Sequence, residues 1–330
     1  MIWSCPRCYG SLSDHQNFVV CESCTERYEC IGGIPDLRIE APSWIDFESD
    51  RAAARDLYTR SEKLSLKDTI RAVYARRSGW SEERIALRTQ QVVEGVERRR
   101  ADVKGWLNEC LFTDGFFLDL GCGGGMLTAA ASLEGYRGIA IDVSMEWLIV
   151  ARKMIKEVGG EPILAAAMAE SLPLRDGTVK GVISQDVIEH VGDRGRYLSQ
   201  IDRVIKPGGC AILTTPNRYS LTSEPHVFVW GVGWVPRHWQ AKYVQWVSGK
   251  EYDFTCLMGS LELNRLLKKH TRTDYTISPG EVPAAEISRF SPLKARLAAY
   301  YNKLLNLKVM RWCFLLVGPF FVIKCYRKGA

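Results

Sequence analysis

Phe116-Phe117-Leu118-Asp119-Leu120-Gly121-Cys122-Gly123-Gly124-Gly125 decides how this chain folds. The first half is apolar except for Asp119, as in a buried strand; the second half is glycine except for Cys122. An apolar run from Met126 to Leu133 follows at once, so the segment predicts strand, tight turn and helix. Glycine is required in such a turn where φ is positive and a ligand must approach the backbone. The next strand, Gly138-Ile139-Ala140-Ile141-Asp142, ends in a carboxylate 21 residues after Gly121. From that position an acid can accept hydrogen bonds from ribose hydroxyls. The pattern predicts an α/β, Rossmann-like domain holding a nucleotide-like cofactor. Dinucleotide folds share the acid, so the turn has to discriminate.

The spacing Asp119-x-Gly121-x-Gly123-x-Gly125 differs from the G-x-G-x-x-G pyrophosphate turn. Asp119 would repel a pyrophosphate and attract a sulfonium-bearing amino acid. On these residues the chain resembles the class I S-adenosylmethionine-dependent methyltransferases, of the type 11/12 and quinone O-methyltransferase kind. The resemblance continues through Ala169-Glu170-Ser171-Leu172-Pro173-Leu174, through Val179 to Gln185 with Asp186-Val187-Ile188-Glu189-His190-Val191, and through Lys206-Pro207-Gly208-Gly209 before a strand from Cys210 to Thr214. It implies a seven-stranded methyltransferase sheet and a cofactor site made by Asp119, Gly121, Cys122, Gly123, Gly125, Asp142, Val143, Met168, Ala169 and Gln185. One position departs. Many relatives carry Asp where this chain has Met168, which shifts adenine contact to backbone near Ala169 or to Glu170.

Methyl transfer needs an in-line nucleophile and often a base or metal to expose an oxygen lone pair. Asp186-x-x-Glu189-His190 and the later Glu224-Pro225-His226 supply carboxylates and imidazoles. The set resembles the acid-x-x-Glu-His plus later His pattern of metal-dependent 2′-O-methyltransferases acting on small-RNA ends. It also resembles the Glu-His segment of quinone-ring O-methyltransferases. That implies Asp186, Glu189 and His190 as catalytic residues, with Asp186, Glu189, His190 and His226 as ligands for Mg²⁺ or Mn²⁺. The alternative is a metal-free site in which His190 is a lone base or packs.

The N-terminus reads differently. Cys5-Pro6-Arg7-Cys8 and Cys21-Glu22-Ser23-Cys24 are two C-x-x-C knuckles 12 residues apart. Two tight turns at that spacing can present four thiolates tetrahedrally to a structural Zn²⁺. Phe18 to Val20 suit a hairpin between them. With Gly33-Ile34-Pro35-Asp36 the segment resembles small zinc-ribbon proteins that accompany methyltransferase domains. Residues 1–45 are therefore expected to be a zinc ribbon and 46–113 a helical lid or linker, broken near Ser78-Gly79. Residues 114–330 are the methyltransferase domain, with insertions at about 218–258 and 279–318. The charged stretches around Asp50 and Arg98 to Arg100 read as solvated helix faces, with phosphate binding by Arg98 to Arg100 as the alternative.

The net charge of +6 is local. From Ile287 to Ala330 there are nine Lys or Arg and no Asp or Glu, which leaves the first 286 residues at −3. A helix from Pro292 to about Trp312 carries an apolar stripe (Leu293, Leu297, Tyr300, Leu304, Leu305) among bases, so it either packs on its own core or lies on an anionic membrane. In the first insertion Trp230, Trp234, Trp239 and Trp246 suit either an aromatic substrate wall or a local core. No secretory signal opens the chain, no apolar run reaches the ~18 residues of a membrane span, and high cysteine usage outside an oxidising compartment fits metal ligation or burial. These predict a cytoplasmic address, with peripheral contact at the inner membrane surface through 287–330. The expected activity is O-methylation of a small-molecule or lipid-linked acceptor. The alternatives are an RNA methyltransferase gripping its substrate with the ribbon, and a non-catalytic partner subunit. Against RNA, residues 1–40 hold only Arg7, Arg27 and Arg38 against six acids.

Overall fold

Two turns of the same construction hold the N-terminal segment. Cys5 N–H donates to the Gly10 carbonyl and Tyr9 N–H to Cys5; Cys21 N–H donates to Glu26 and Thr25 N–H to Cys21, all within 2.8–2.9 Å. Tyr9 and Thr25 take the left-handed backbone that closes each turn, with φ of 58° and 59°. The expected hairpin is present as β1 (Leu12–His15) and β2 (Phe18–Cys21), with Leu12 opposite Cys21. It is extended by β3 (Arg27–Ile31) and β4 (Ile34–Pro35) into a four-stranded antiparallel sheet. The structure, a computed structural model, describes residues 2–42, 44–109, 115–253 and 255–329. The expected boundary at 113/114 lies outside the described residues.

Four helices follow: α1 (Phe47–Ser61), α2 (Leu66–Ala75), α3 (Glu82–Val93) and α4 (Gly95–Glu109). Asp46, Ser65 and Ser81 cap the first three by accepting from backbone N–H groups of the first turn. Ser78 and Gly79 fall in the break between α2 and α3, as the sequence predicts. The glycine-turn region then gives β5 (Phe116–Leu120), α5 (Met126–Leu133), β6 (Arg137–Asp142), α6 (Met145–Glu157), β7 (Ile163–Ala166) and β8 (Val179–Gln185). β5 pairs in parallel with β6 and β8, and β6 with β7. Strands buried on both faces need continuous apolar runs, and Phe117, Leu118, Ile139, Ala140 and Ile141 are all buried.

After α7 (Arg194–Val204) comes β9 (Ile205–Pro216), which starts before the expected Cys210. Its glycines explain the early start, because Gly208 N–H donates to the Arg327 carbonyl and Arg327 N–H to that of Gly209, both at 2.9 Å. The remaining elements are α8 (Arg237–Ser248), α9 (Ser260–His270), β10 (Asp274–Pro279), α10 (Ala284–Ile287), α11 (Pro292–Leu304), α12 (Lys308–Val317) and β11 (Phe320–Tyr326). The strand order is β10-β11-β9-β8-β5-β6-β7, with β10 and β11 antiparallel. This is the expected seven-stranded α/β sheet.

By compactness the chain divides into two units. The first holds residues 1–184, 200–210 and 327–330; the second holds 185–199 and 211–326. In the first, Ala54, Leu57, Ile70, Val73 and Ile85 of the helical segment share one apolar cluster with Leu148, Ile149 and Met154 of α6. In the second, the expected single helix over 292–312 is instead α11 and α12, because the chain turns where Leu305 is buried and Leu307 becomes extended. The local core of the first insertion is made by Val227, Val229, Val232, Val244 and Tyr252. Its four tryptophans are more than half exposed, Trp246 at 83%.

Candidate functional site

In the first unit the turn after β5 has the predicted backbone. Gly121, Gly123 and Gly125 all have positive φ (79°, 49°, 78°). At Gly125 a side chain is also sterically excluded, since a Cβ would stand 2.8 Å from Ala151 Cβ where α5 meets α6. At Gly123 a Cβ would meet nothing within 4 Å, so the glycine leaves open space at the turn. Gly123 N–H donates to Asp142 Oδ2 at 2.7 Å and Ser144 N–H to Oδ1 at 2.9 Å, which fixes the carboxylate at the end of β6. Ala167 N–H donates to the Asp142 carbonyl at 3.0 Å and so brings Met168 and Ala169 alongside. Asp119 is buried and accepts from Thr128 Oγ1 at 2.7 Å. Burial pushes its carboxyl up to about 6 against the pull of that bond. Burial and the neighbouring acids hold the Cys122 thiol well above its ordinary value, so it is neutral and unreactive. An open glycine turn between two carboxylates fits a ligand with one cationic end and ribose hydroxyls.

Residues that drew no functional reading in the sequence hold this turn in place. Arg38, buried, donates from Nε and Nη2 to both oxygens of Asp36 at 2.7 Å. Its Nη1 reaches Asp50 at 2.6 Å and the Val143 carbonyl at 2.7 Å. Asp50 in turn accepts from Ser144 Oγ at 3.0 Å and Met145 N–H at 2.8 Å, capping α6 from another helix. The solvated reading of Asp50 is therefore corrected. Arg98 to Arg100 are taken up by Gln91, Asp102, Glu97 and Glu134. At the other edge, Ser4 N–H donates to the Pro173 carbonyl and Ser171 Oγ to the Pro6 carbonyl, both at 2.9 Å. Cys5 lies between these two anchors. The sulfur atoms of Cys5, Cys8, Cys21 and Cys24 lie within 4.8 Å of one another, a set that can hold one metal ion. Burial opposes ionisation of Cys21, but the N–H groups of Cys24 and Ser23 outweigh it and bring the thiol down to about 7.

In the second unit Asp186 has left-handed backbone (φ 54°), a conformation a non-glycine residue adopts only where its surroundings impose it. It leads into the turn carrying Glu189 and His190. Glu189 is buried. Its Oε2 accepts from Thr215 Oγ1 at 2.9 Å, and its Oε1 has no partner among the described residues. Burial and the Asp186 charge push its carboxyl up to about 8. Ligand atoms of Glu189, His190 and His226 lie within 4.8 Å of one another. Asp186 is outside that group, exposed, and accepts from Thr214 Oγ1 at 3.0 Å. Glu224, buried, accepts the Nδ1 proton of His226 at 2.5 Å and the N–H groups of His226 and Val227 at 2.8 Å. A carboxylate on Nδ1 sets the tautomer and leaves Nε2 for another ligand. Burial disfavours the imidazolium, but Glu224 outweighs it and raises the pKa of His226. Sequence reasoning missed Glu224 and Thr215 as supports; the Glu-x-His spacing was the available signal. Gln185, the remaining predicted cofactor contact, ends β8 half-buried. An orphaned buried carboxylate oxygen beside two imidazoles, one oriented by a second carboxylate, fits a divalent cation.

Parts of the chain are similar to known proteins. The family described as "Methyltransferase domain" matches residues 118–213. Over those residues the chain is similar to a methyltransferase domain. Similar curated proteins include the ubiquinone biosynthesis O-methyltransferase of Parvibaculum lavamentivorans, 31% identical over 131 residues, which are 38% of this chain and 51% of that one. The protein of the same name from Caulobacter vibrioides is 36% identical over 102 residues, 31% of this chain and 40% of that one. The chain thus spans about half the length of the curated relatives it matches. A solved methyltransferase structure from Thermotoga maritima aligns with 72% of this chain and 94% of its own at 17% identity, with a TM-score of 0.45.

Proposed function

We propose that the chain transfers a methyl group from S-adenosylmethionine to a hydroxyl of a small-molecule or lipid-linked acceptor. The observation that carries the reading is the Glu189–His190–His226 group with its unpartnered buried Oε1. What S-adenosylmethionine supplies when bound is a methyl group on a cationic sulfur. Asp119 faces the amino-acid end with a carboxylate, Asp142 accepts from the ribose, and the backbone near Ala169 with Met168 takes the adenine. A divalent ion held by Glu189, His190 and His226 would supply a lowered acceptor pKa. With the ion bound, the acceptor hydroxyl would lose its proton to solvent; without it, His190 would be the base that removes it. The freed oxygen pair forms the C–O bond while the C–S pair returns to sulfur, giving the methyl ether and S-adenosylhomocysteine. Glu224 positions His226 and does not itself meet the acceptor.

The remaining parts of the reading are a structural Zn²⁺ in the Cys5, Cys8, Cys21 and Cys24 site, a lid role for 46–113, the domain bounds 1–45, 46–113 and 114–330, and a cytoplasmic location. Among the described residues no helix is long and apolar enough to cross a membrane. The test is a label-transfer assay offering catechol or quinol acceptors and, separately, bulk RNA, with EDTA and then with Mg²⁺ or Mn²⁺ restored. Label on the phenolic oxygen that disappears with EDTA is the expected result. Label confined to RNA would overturn the acceptor class, and EDTA-insensitive transfer would overturn the metal.

A further inference from the structure

One face of α11 is covered and the other is not. Tyr301 donates to the Gly280 carbonyl at 2.8 Å, and Asn302 exchanges two hydrogen bonds with the Val282 backbone. Tyr301 also stacks edge-on against Phe314 of α12 at 4.6 Å. The opposite stripe carries Leu293, Leu297 and Tyr300, exposed by 70%, 62% and 60%. Helical spacing puts Arg296 and Lys303 along its border. α12 repeats the arrangement with Val309, Trp312 and Leu316, again at least half exposed. Beside Trp312 opens a cavity of about 430 Å³ lined by Lys308, Arg311 and Lys324 together with Leu315. Among the described residues, no carboxylate is bonded to Lys308 or Arg311.

So much exposed large apolar surface on two consecutive helices marks an interaction site. Its occupant has to accept leucine and tryptophan and also suit the positive charge of Lys308 and Arg311 beside them. A second copy of the chain would bring the same positive charge and repel. An anionic bilayer satisfies both demands, with acyl chains for the stripes and headgroup phosphates for the bases. We propose that α11 and α12 lie in the surface of an anionic membrane, with a lipid phosphate held between Lys308 and Arg311. Contact is interfacial, since neither helix can span.

The experiment is sedimentation of the full chain with phosphatidylcholine vesicles and with phosphatidylcholine–phosphatidylglycerol vesicles, without methyl donor or acceptor. Binding only to the second kind, weakened by added salt, is expected. Lys308→Glu with Arg311→Glu should lower partitioning by roughly tenfold or more. Leu293→Ser with Trp312→Ser should lower it while cofactor binding, measured separately, stays intact and shows the variant folded. Equal binding to both vesicles, binding to neither, or self-association abolished by Leu293→Ser would overturn the proposal. Because no methyl transfer is measured, its failure would leave the activity reading standing.

Discussion

Asp119 illustrates how one buried carboxyl can set a binding profile. With its pKa near 6, against about 3.9 for a free aspartate, it is mostly protonated at pH 5 and ionised above pH 7. The sign for folding is unfavourable: stability from the neutral form is lost as pH rises through that interval. The sign for a cationic ligand is the reverse, so cofactor affinity measured by calorimetry should rise with pH and level off above about 7. Asp119→Asn should flatten the profile and weaken binding at pH 7 by about 1.5–3 kcal/mol. Asp36 behaves oppositely. Burial alone would raise its pKa, but Arg38 and then Arg51 outweigh it, so the pKa is lowered. Its contribution is present above about pH 4 and is lost as pH falls through the lowered value. Arg38→Ala leaves two carboxylates facing a buried gap and should cost about 3–5 kcal/mol in urea unfolding. The double change with Asp36→Asn should cost less than the single one.

At the scale of elements, the first knuckle of the ribbon and the loop after β7 form one mechanical piece. Ser4 and Pro6, either side of Cys5, bond to Pro173 and Ser171, in the stretch that follows the expected adenine contacts. Changing Cys8 to Ser in the proposed zinc site should raise hydrogen exchange in residues 171–174 and weaken cofactor binding about 3- to 30-fold, the usual range for coupled sites. Unchanged exchange with lost binding would place the coupling elsewhere. The knuckles themselves were legible because each is a local pattern. Their contact with the loop was not, since nothing near Cys5 in sequence specifies a partner 165 positions away. Asp50 was misread for the same reason: on its own helix it is one charge among several, and only the N-terminus of α6 gives it a role. The α11 stripe was recognised, but periodicity cannot say whether an apolar face is covered.

On the scale of the molecule, β5, β6 and β8 were readable, because glycine turns and buried parallel strands are written in short runs, whereas β7 drew no reading and β9 begins before the expected Cys210. The charge of +6 is a property of one segment. Cofactor should act on stability as a ligand of the native state: at a hundred times its Kd it adds about 2.7 kcal/mol, or ~5–10 °C in melting temperature for a unit of this size. Asp142→Asn should abolish most of that rise in a thermal scan. The stitching of Ser4 and Pro6 to Pro173 and Ser171 also has a consequence in time. The ribbon's own ladder is complete once β4 has been made, yet Ser171 follows Pro6 by 165 positions. At the usual ~5–20 residues per second of synthesis, the outer edge of the ribbon waits about 10–30 s for its partner. Throughout that interval Trp3 and Ser4, both buried in the finished fold, lack the Pro173–Leu174 backbone they pair with.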